Sequence, residues 1–336
     1  MLAKLGWDDA WSAALTDLQV RSGTSELIAG RVLRQDRGWL RVATESGEQQ
    51  VQLTGKLTHA AASALDLPTV GDWVALDGSR EAKVVAVLPR RSLLARRSGE
   101  EAQSFAANLD LAFVVHGLDQ PLNLRRIERG LAMVAASGAE PVVVLNKADL
   151  REDAAAAVAE VQTLARGAAV VLASAEAGRG IAELEARLSR GRTGVLLGAS
   201  GVGKSSLANR LLGEARLATG AVRASDAKGR HTTTHRELFV LPGGGLLVDG
   251  PGVRELGIFE AGLAQTFPEI EALAGGCRFR DCAHDAEPGC AVRGAVEAGQ
   301  LEPARLQSFH RLAREVAAAA AGQAAPSGRA ARSRKR

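Results

Sequence analysis

A chain of 336 residues, 46% apolar and 24% charged, has enough material for two or three domains with a sizeable core and the ordinary make-up of a soluble globular protein. Long uncharged apolar runs are missing and Met1 to Leu18 carries Asp8, Asp9 and Asp17, which argues against a membrane span and a secretion signal, so a cytoplasmic location is expected. The net charge is +4, but Arg329, Arg332, Arg334, Lys335 and Arg336 cluster at the C-terminal end, so the basic balance belongs to a tail and the rest is about neutral.

In chain order, residues 1–24 read as a lead segment with a helical turn around Asp9 to Leu18. Residues 25–93 change to short apolar runs broken by turn residues: Leu27 to Val32, Trp39 to Ala43, Gln49 to Leu53, Trp73 to Leu76 and Ala82 to Val87. Such runs suit a small closed β-barrel of the OB type. Val70-Gly71-Asp72-Trp73-Val74 reads as a tight turn entering a strand. Arg90, Arg91, Arg96 and Arg97 follow in a stretch without acidic residues, which reads either as a solvated connector or as a phosphate-contacting strip.

Residues 103–262 alternate between strand and helix. Strands are predicted at Leu111 to Val115, Pro141 to Leu145, Ala169 to Leu172, Gly194 to Leu197, Glu237 to Leu241 and Leu246 to Val248. Helices are predicted at Leu124 to Ser137, Ala154 to Ala165, Ile181 to Leu188 and Lys204 to Leu212, the first burying Ile127, Leu131 and Val134. This texture predicts a parallel sheet covered on both faces. Residues 263–322 read as a helical, cysteine-containing domain, with Val292 to Ala320 mostly helix, and residues 323–336 as a disordered basic tail that could add phosphate contacts to a polyanion.

The strongest motif is Gly198-Ala199-Ser200-Gly201-Val202-Gly203-Lys204-Ser205, followed by Ser206, which lies between an apolar strand and a helix. That spacing and context belong to a phosphate-binding loop, whose glycines let backbone N–H groups turn toward phosphate oxygens at a helix N-terminus. Lys204 would reach the β- and γ-phosphates and Ser205 would coordinate Mg²⁺. Asn146-Lys147-Ala148-Asp149 ends an earlier strand. The Asp149 carboxylate can accept from the ring N–H and exocyclic amine of guanine, a pair that adenine lacks. Asn146 would orient the loop and touch the base edge, and Lys147 would lie over the ring. Ser174-Ala175 closes the next strand and would offer a backbone N–H to the guanine carbonyl.

Asp249-Gly250-Pro251-Gly252 follows an apolar strand, placing Asp249 to hold Mg²⁺ through water and the Gly252 amide to sense the γ-phosphate. Gly229-Arg230-His231-Thr232-Thr233-Thr234-His235 lies between these motifs. Thr233 is assigned to Mg²⁺ and the γ-phosphate, with Thr232 and Thr234 as the neighbouring choices. The order is permuted. Asn146 and Ser174 precede Gly198, Thr233 and Asp249, whereas Ras-like GTPases begin with the phosphate loop. Val253 stands where those enzymes carry a water-positioning Gln. Hydrolysis is therefore expected to be slow unaided, with His231 as the nearby residue able to position or polarise water.

Cys277, Cys282 and Cys290 are the three cysteines, an odd number that argues against a disulfide framework. With His284 they offer three thiolates and one imidazole, the donor set of a closed structural zinc site with no position open for catalysis.

Taken together, the Val-Gly-Asp-Trp-Val turn, Arg90-Arg91-Ser92, Asn123-Leu-Arg-Arg-Ile-Glu128, the permuted motifs, the histidine before three threonines and the Cys-x4-Cys-x-His-x5-Cys spacing resemble the RsgA (YjeQ/YloQ) family over about residues 25–315. The resemblance implies an OB barrel, a circularly permuted GTPase domain and a C-terminal zinc domain. It implies binding to the small ribosomal subunit and its rRNA late in assembly, subunit-stimulated GTP hydrolysis that promotes release, and His231 as the catalytic histidine, with Lys204 and Thr233 beside it. A monomer is expected. Gly250 departs from the Ser or Thr usual at its position. Trp39 and Trp73 are the only aromatics of residues 25–93, so RNA contacts there are expected to be mainly to phosphates and salt-sensitive. Two other readings stay open: an RNA-binding assembly module that holds GTP as a structural ligand, and a permuted GTPase acting on the large subunit or tRNA.

Overall fold

The fold, seen in a computed structural model, is described for residues 1–98, 101–165, 167–214, 236–249, 263 and 266–324, without the side chains of 96–98, 101–102, 315 and 318–324. The chain opens with a 3-10 turn at Leu2–Leu5 and helix α1 at Asp9–Ser22. Asp8 starts α1 by accepting from the N–H groups of Ala10 and Trp11, and Gly23 ends it. Trp7 and Trp11 lie 4.8 and 5.7 Å, centroid to centroid, from Trp73. The lead segment is therefore packed into the core, which explains why its helix outruns the single turn expected.

Strands β1 (Ile28–Asp36), β2 (Trp39–Thr44) and β3 (Gly47–Leu53), helix α2 (Gly55–Ala60), and strands β4 (Trp73–Leu76) and β5 (Lys83–Val87) form the barrel. The order β1-β2-β3-β5-β4 closes when β4 returns to pair with β1, from Ile28↔Leu76 to Arg31↔Trp73. Val32, Val42, Val51, Val74, Leu76 and Val84 fill its interior. Closure leaves no open sheet edge for these five strands.

The basic stretch after β5 is not a solvated connector. It continues into a hairpin, β6 (Leu93–Ser98) with β7 (Glu101–Ala107). Arg90 is paired with the fully buried Asp72 through two contacts of 2.7 Å and also donates to the carbonyls of Leu65 and Leu67. Arg91 lies 3.6 Å over the Trp11 ring and donates to Asp8 at 2.6 and 2.8 Å. Arg90 is committed to the fold and is not available to a phosphate strip, whereas Arg91 is an exposed side chain in a surface ion pair; the side chains of Arg96 and Arg97 lie outside the described residues.

The nucleotide-binding half contains β8 (Leu111–Gly117), α3 (Leu124–Ser137), β9 (Glu140–Asn146), α4 (Ala154–Ala165), β10 (Ala169–Leu172), α5 (Ile181–Arg187), β11 (Thr193–Leu197), α6 (Lys204–Leu212), β12 (Glu237–Val240) and β13 (Leu246–Asp249). The order is β10-β9-β8-β11-β13-β12. Alternate residues of β9 divide between the two faces: Val143 and Leu145 pack with α3 and α4, Val142 and Val144 with α5 and α6. One expectation needs correction. β12 runs antiparallel to β13 and then pairs with β1 at Arg34↔Glu237, so the sheet is mixed and continuous with the barrel.

Arg31 locks this junction. It is 2% exposed and donates to the carbonyls of Leu5, Gly71 and Asn108 and, at 2.8 Å, to Thr193 Oγ1. Burial pushes the guanidinium down to about 10, which leaves it charged at neutral pH. One side chain thus satisfies acceptors from the lead segment, the barrel, the end of the hairpin and the strand entering the phosphate loop.

The C-terminal part packs α7 (Pro268–Ala274), α8 (Ala291–Glu297) and α9 (Pro303–Ala324) around Phe267, Ile270, Val292 and Leu306. The long helix expected there is two helices. Arg305 of α9 lies over the Phe267 ring and donates, at 2.6 Å each, to Glu269, to Glu128 of α3 and to the carbonyl of Thr266. Glu128 is 5% exposed. Removing this guanidinium takes from the buried Glu128 the partner it has among the described residues, at about 3–5 kcal/mol. Arg305→Met is accordingly expected to lower urea-unfolding stability by about that amount. A loss below about 1 kcal/mol would show that the network is solvated.

Candidate nucleotide site and metal cluster

The sequence motifs fall on loops at the C-terminal ends of β9, β10, β11 and β13, with the β8 loop beside them. That edge of an open α/β sheet is where ligands bind. Permutation changes which loops are covalently joined and leaves the strand neighbours in place.

The phosphate loop spans from β11 to α6. Gly198 and Gly203 carry φ of +152° and +92°, and a Cβ at Gly203 would lie 2.3 Å from Asn146 Nδ2. Glycine is required there both for the left-handed backbone and for this close approach. Asn146 is 1% exposed and spends both amide atoms on the protein: Nδ2 donates to the Val202 carbonyl at 2.9 Å, and Oδ1 accepts from Ala175 N–H at 3.2 Å. Asn146 therefore clamps the phosphate loop to the Ser174-Ala175 loop. In this state the Ala175 N–H, expected at a guanine carbonyl, faces that amide.

Further ties hold the base-side loops. Ala148 N–H donates to the Ala173 carbonyl at 3.0 Å, and Leu118 N–H to the Asn146 carbonyl at 2.8 Å. Ser174 is fully buried and its Oγ accepts from Ala177 N–H at 3.0 Å. Arg210 of α6 donates to the carbonyls of Ala175 and Glu176 at 2.7 and 2.8 Å, a clamp that the sequence did not single out. Lys147 takes a left-handed backbone, φ 61°, and its ammonium pairs with Asp119 Oδ2 at 2.6 Å. Asp149 is exposed in the short 3-10 turn that follows β9.

On the phosphate side, Lys204 Nζ donates to the carbonyls of Gly198 and Ala199 at 2.8 and 2.7 Å. Its ammonium is held against the loop it would serve. Ser200 and Gly201 are exposed at the loop tip, and Ser205 and Ser206 are half-buried in the first turn of α6. Asp249 ends β13, one residue past the Val195↔Val248 pair and thus next to the strand that enters the loop. His231, Thr232, Thr233, Thr234, His235, Gly250, Gly252 and Val253 lie outside the described residues, as does the tail from residue 325 onward.

A cavity of about 530 Å³ adjoins Gly198, Ala199 and Ser200 and is lined also by His116, Arg126 and Arg129. His116 is 4% exposed, and its Nε2 accepts from Asn123 N–H at 3.1 Å. Burial lowers its pKa, so the ring is neutral at pH 7 with its proton on Nδ1. The sequence signal was a histidine closing an otherwise apolar strand.

Cys277, Cys282, His284 and Cys290 present donor atoms that all lie within 4.8 Å of one another. Tetrahedral zinc requires S···S separations of about 3.8 Å and S···N separations of about 3.5 Å, from Zn–S of about 2.3 Å and Zn–N of about 2.0 Å. The observed values are 3.9 Å for Cys277–Cys290, and 3.6 and 3.5 Å from His284 Nδ1 to Cys277 and Cys290. Cys277, His284 and Cys290 thus stand at tetrahedral separations, and Cys282 within the same 4.8 Å span completes a donor set chemically suited to zinc. His284 adopts φ 62° to reach the cluster. Its loop is shaped by Glu287, whose carboxylate accepts from Ala283, Asp285 and Ala286 N–H groups; backbone N–H donors, its own first, hold that carboxyl down to about 2.

Comparison with known proteins agrees with this geometry. The family model for RsgA GTPases matches residues 87–259. A protein of Opitutus terrae named small ribosomal subunit biogenesis GTPase RsgA is 47% identical, over 95% of this chain and 90% of its own length. A second, RsgA 2 of Lactiplantibacillus plantarum, is 46% identical over 91% and 87%. Among solved structures, YjeQ from Thermotoga maritima superposes with a TM-score of 0.63 at 28% identity, over 87% of this chain and 99% of its own. The circularly permuted GTPase YloQ also gives 0.63, at 25% identity, over 87% and 96%.

Proposed function

The chain belongs to the RsgA GTPase family, and from that premise we propose that it binds the small ribosomal subunit and its rRNA late in maturation, hydrolyses GTP there and leaves on hydrolysis. The observation that supports this most is the joining of a closed barrel to a permuted nucleotide sheet through one continuous strand ladder. A surface that grips RNA would thus be built into the same body as the phosphate loop.

In this reading Asp149 accepts from guanine, Lys147 covers the ring, and Ser174 and Ala175 close the base pocket, with Asn146 holding that pocket against the phosphate loop. The backbone of Gly198, Ala199, Ser200, Gly201, Val202 and Gly203 cradles the phosphates. Lys204 leaves its two carbonyl partners to meet the β- and γ-phosphates. Ser205, Thr233 and Asp249 hold Mg²⁺, which would neutralise phosphate charge when bound, Ser206 adds a contact in the same helical turn, and Gly252 contacts the γ-phosphate. His231 positions water for attack on the γ-phosphorus, breaking the bond to the β,γ-bridging oxygen and yielding GDP and phosphate. Cys277, Cys282, His284 and Cys290 bind one structural zinc ion. The protein works as a monomer in the cytoplasm; among the described residues no helix is long and apolar enough to cross a membrane.

The test is GTP turnover by the isolated chain and with purified small subunits, large subunits serving as control. Slow turnover alone, raised by small subunits only, is the expected result, and His231→Ala should abolish the rise. Tight GTP binding with no turnover under any condition would favour an assembly module instead, and a fast basal rate that survives His231→Ala would remove that histidine from the mechanism.

A further inference from the structure

With Arg90 committed to the fold, a different cationic surface stands out. We propose that the groove between α3 and α9 is a docking site for the phosphate backbone of RNA, an inference that rests on the small-subunit reading above. Arg125, Arg126 and Arg129 of α3 are exposed and line this groove or its rim together with exposed Arg311 of α9. Arg125, Arg126 and Arg311 form no ion pair among the described residues. Among the described side chains that line the groove, the carboxylate is that of Glu128, which is buried and engaged by Arg305 at 2.6 Å. The exposed charged side chains described along the groove are therefore of one sign.

Charge spacing within α3 does not favour that arrangement. Arg125 and Arg129 are spaced i,i+4, and Arg126 and Arg129 i,i+3, which places like charges side by side on the helix surface. Arg125 and Arg126 also occupy the first turn of α3, which contains no acidic residue, where the helix dipole disfavours cations. Sequence that breaks two local rules at once points to a use elsewhere. A polyanion laid along the groove would turn each of these unfavourable terms into a favourable one. An array of guanidinium groups spread over two helices matches the repeating charge of a nucleic-acid backbone.

Position adds a second argument. Arg126 and Arg129 line both this groove and the cavity beside Gly198, Ala199 and Ser200. A strand held on α3 would thus touch side chains that border the phosphate loop. Because α9 supplies the opposite wall, it would also bridge the nucleotide-binding sheet and the helices that carry the metal cluster.

The experiment compares the full-length, metal-replete chain with an Arg125→Gln/Arg311→Gln variant in binding to purified small subunits across a potassium chloride series. Affinity at physiological salt should fall about 10-fold or more, and the slope of log K against log salt should become shallower by about two. Arg125→Lys/Arg311→Lys should keep the wild-type slope, and an unchanged melting midpoint and zinc content would show that the fold is intact. Unchanged affinity and slope in the Gln variant would overturn the proposal, as would weaker binding at an unchanged slope, which would indicate a protein partner rather than phosphates. A naked RNA duplex is titrated in parallel. If wild type binds the duplex with the expected slope difference but ignores subunits, the small-subunit reading fails and the groove stands. If wild type binds neither, both fall.

Discussion

Asp149→Asn is expected to weaken GTP binding by roughly 10⁴-fold and to transfer the preference to xanthosine triphosphate. Guanine offers Asp149 two donors, its ring N–H and its exocyclic amine. An asparagine amide can accept from the ring N–H, but its own NH₂ then meets the exocyclic amine donor to donor. Xanthine has a carbonyl at that position and restores the pairing. The change should be confined to the base, because Asp149 is exposed and is not part of the clamp that Asn146 makes to Val202 and Ala175. Equilibrium binding of both nucleotides to the variant measures it. An equal loss for the two, or GTP affinity within about 10-fold of wild type, would remove Asp149 from base recognition.

Cys290→Ser should release the metal and unfold the segment around it. Apparent zinc-binding energies in small structural sites are on the order of 10 kcal/mol, more than a short loop with few buried side chains can replace. The cysteine also caps α8, its Sγ accepting from Arg293 N–H at 3.4 Å. Serine keeps an acceptor for that cap, so the substitution isolates the loss of the metal ligand. Wild type should carry about one zinc per chain and the variant close to none. Limited proteolysis should then cut the variant between Cys277 and Cys290 while GTP binding persists. Wild-type protein without zinc, or a variant as protease-resistant as wild type, would defeat this expectation.

Local pattern made much of the fold legible. The barrel strands were visible because each is a short apolar run closed by turn residues. The phosphate loop was visible because its glycine spacing and its strand-to-helix context coincide. The hairpin β6–β7 was missed because Arg90, Arg91, Arg96 and Arg97 hid the strand pattern, and because the partners of the first two lie elsewhere: Asp72 in a turn of the barrel and Asp8 before α1. The same limit hid Arg31 and Arg305, which reach Thr193 and Glu128 across 162 and 177 residues. Buried polar networks of this kind have no sequence period to betray them. The antiparallel hairpin of β12 with β13 had a local signal in Pro242-Gly243-Gly244-Gly245, whereas the pairing of β12 with β1 had none, since it joins distant parts of the chain at Arg34↔Glu237. At the candidate site the residue types were legible, but their division of labour was not. Asn146 reads as a base contact until its two amide atoms are seen bonded to the loops on either side.

The shared ladder between β12 and β1 has a mechanical meaning. A barrel tethered by a linker could settle on any surface while the nucleotide half tumbled beside it. Here the two halves share a strand pairing and the Arg31 contacts, so a surface that held the barrel would also bias the bearing of the phosphate loop. In such a molecule footprint and reading edge would be set together, as in a gauge.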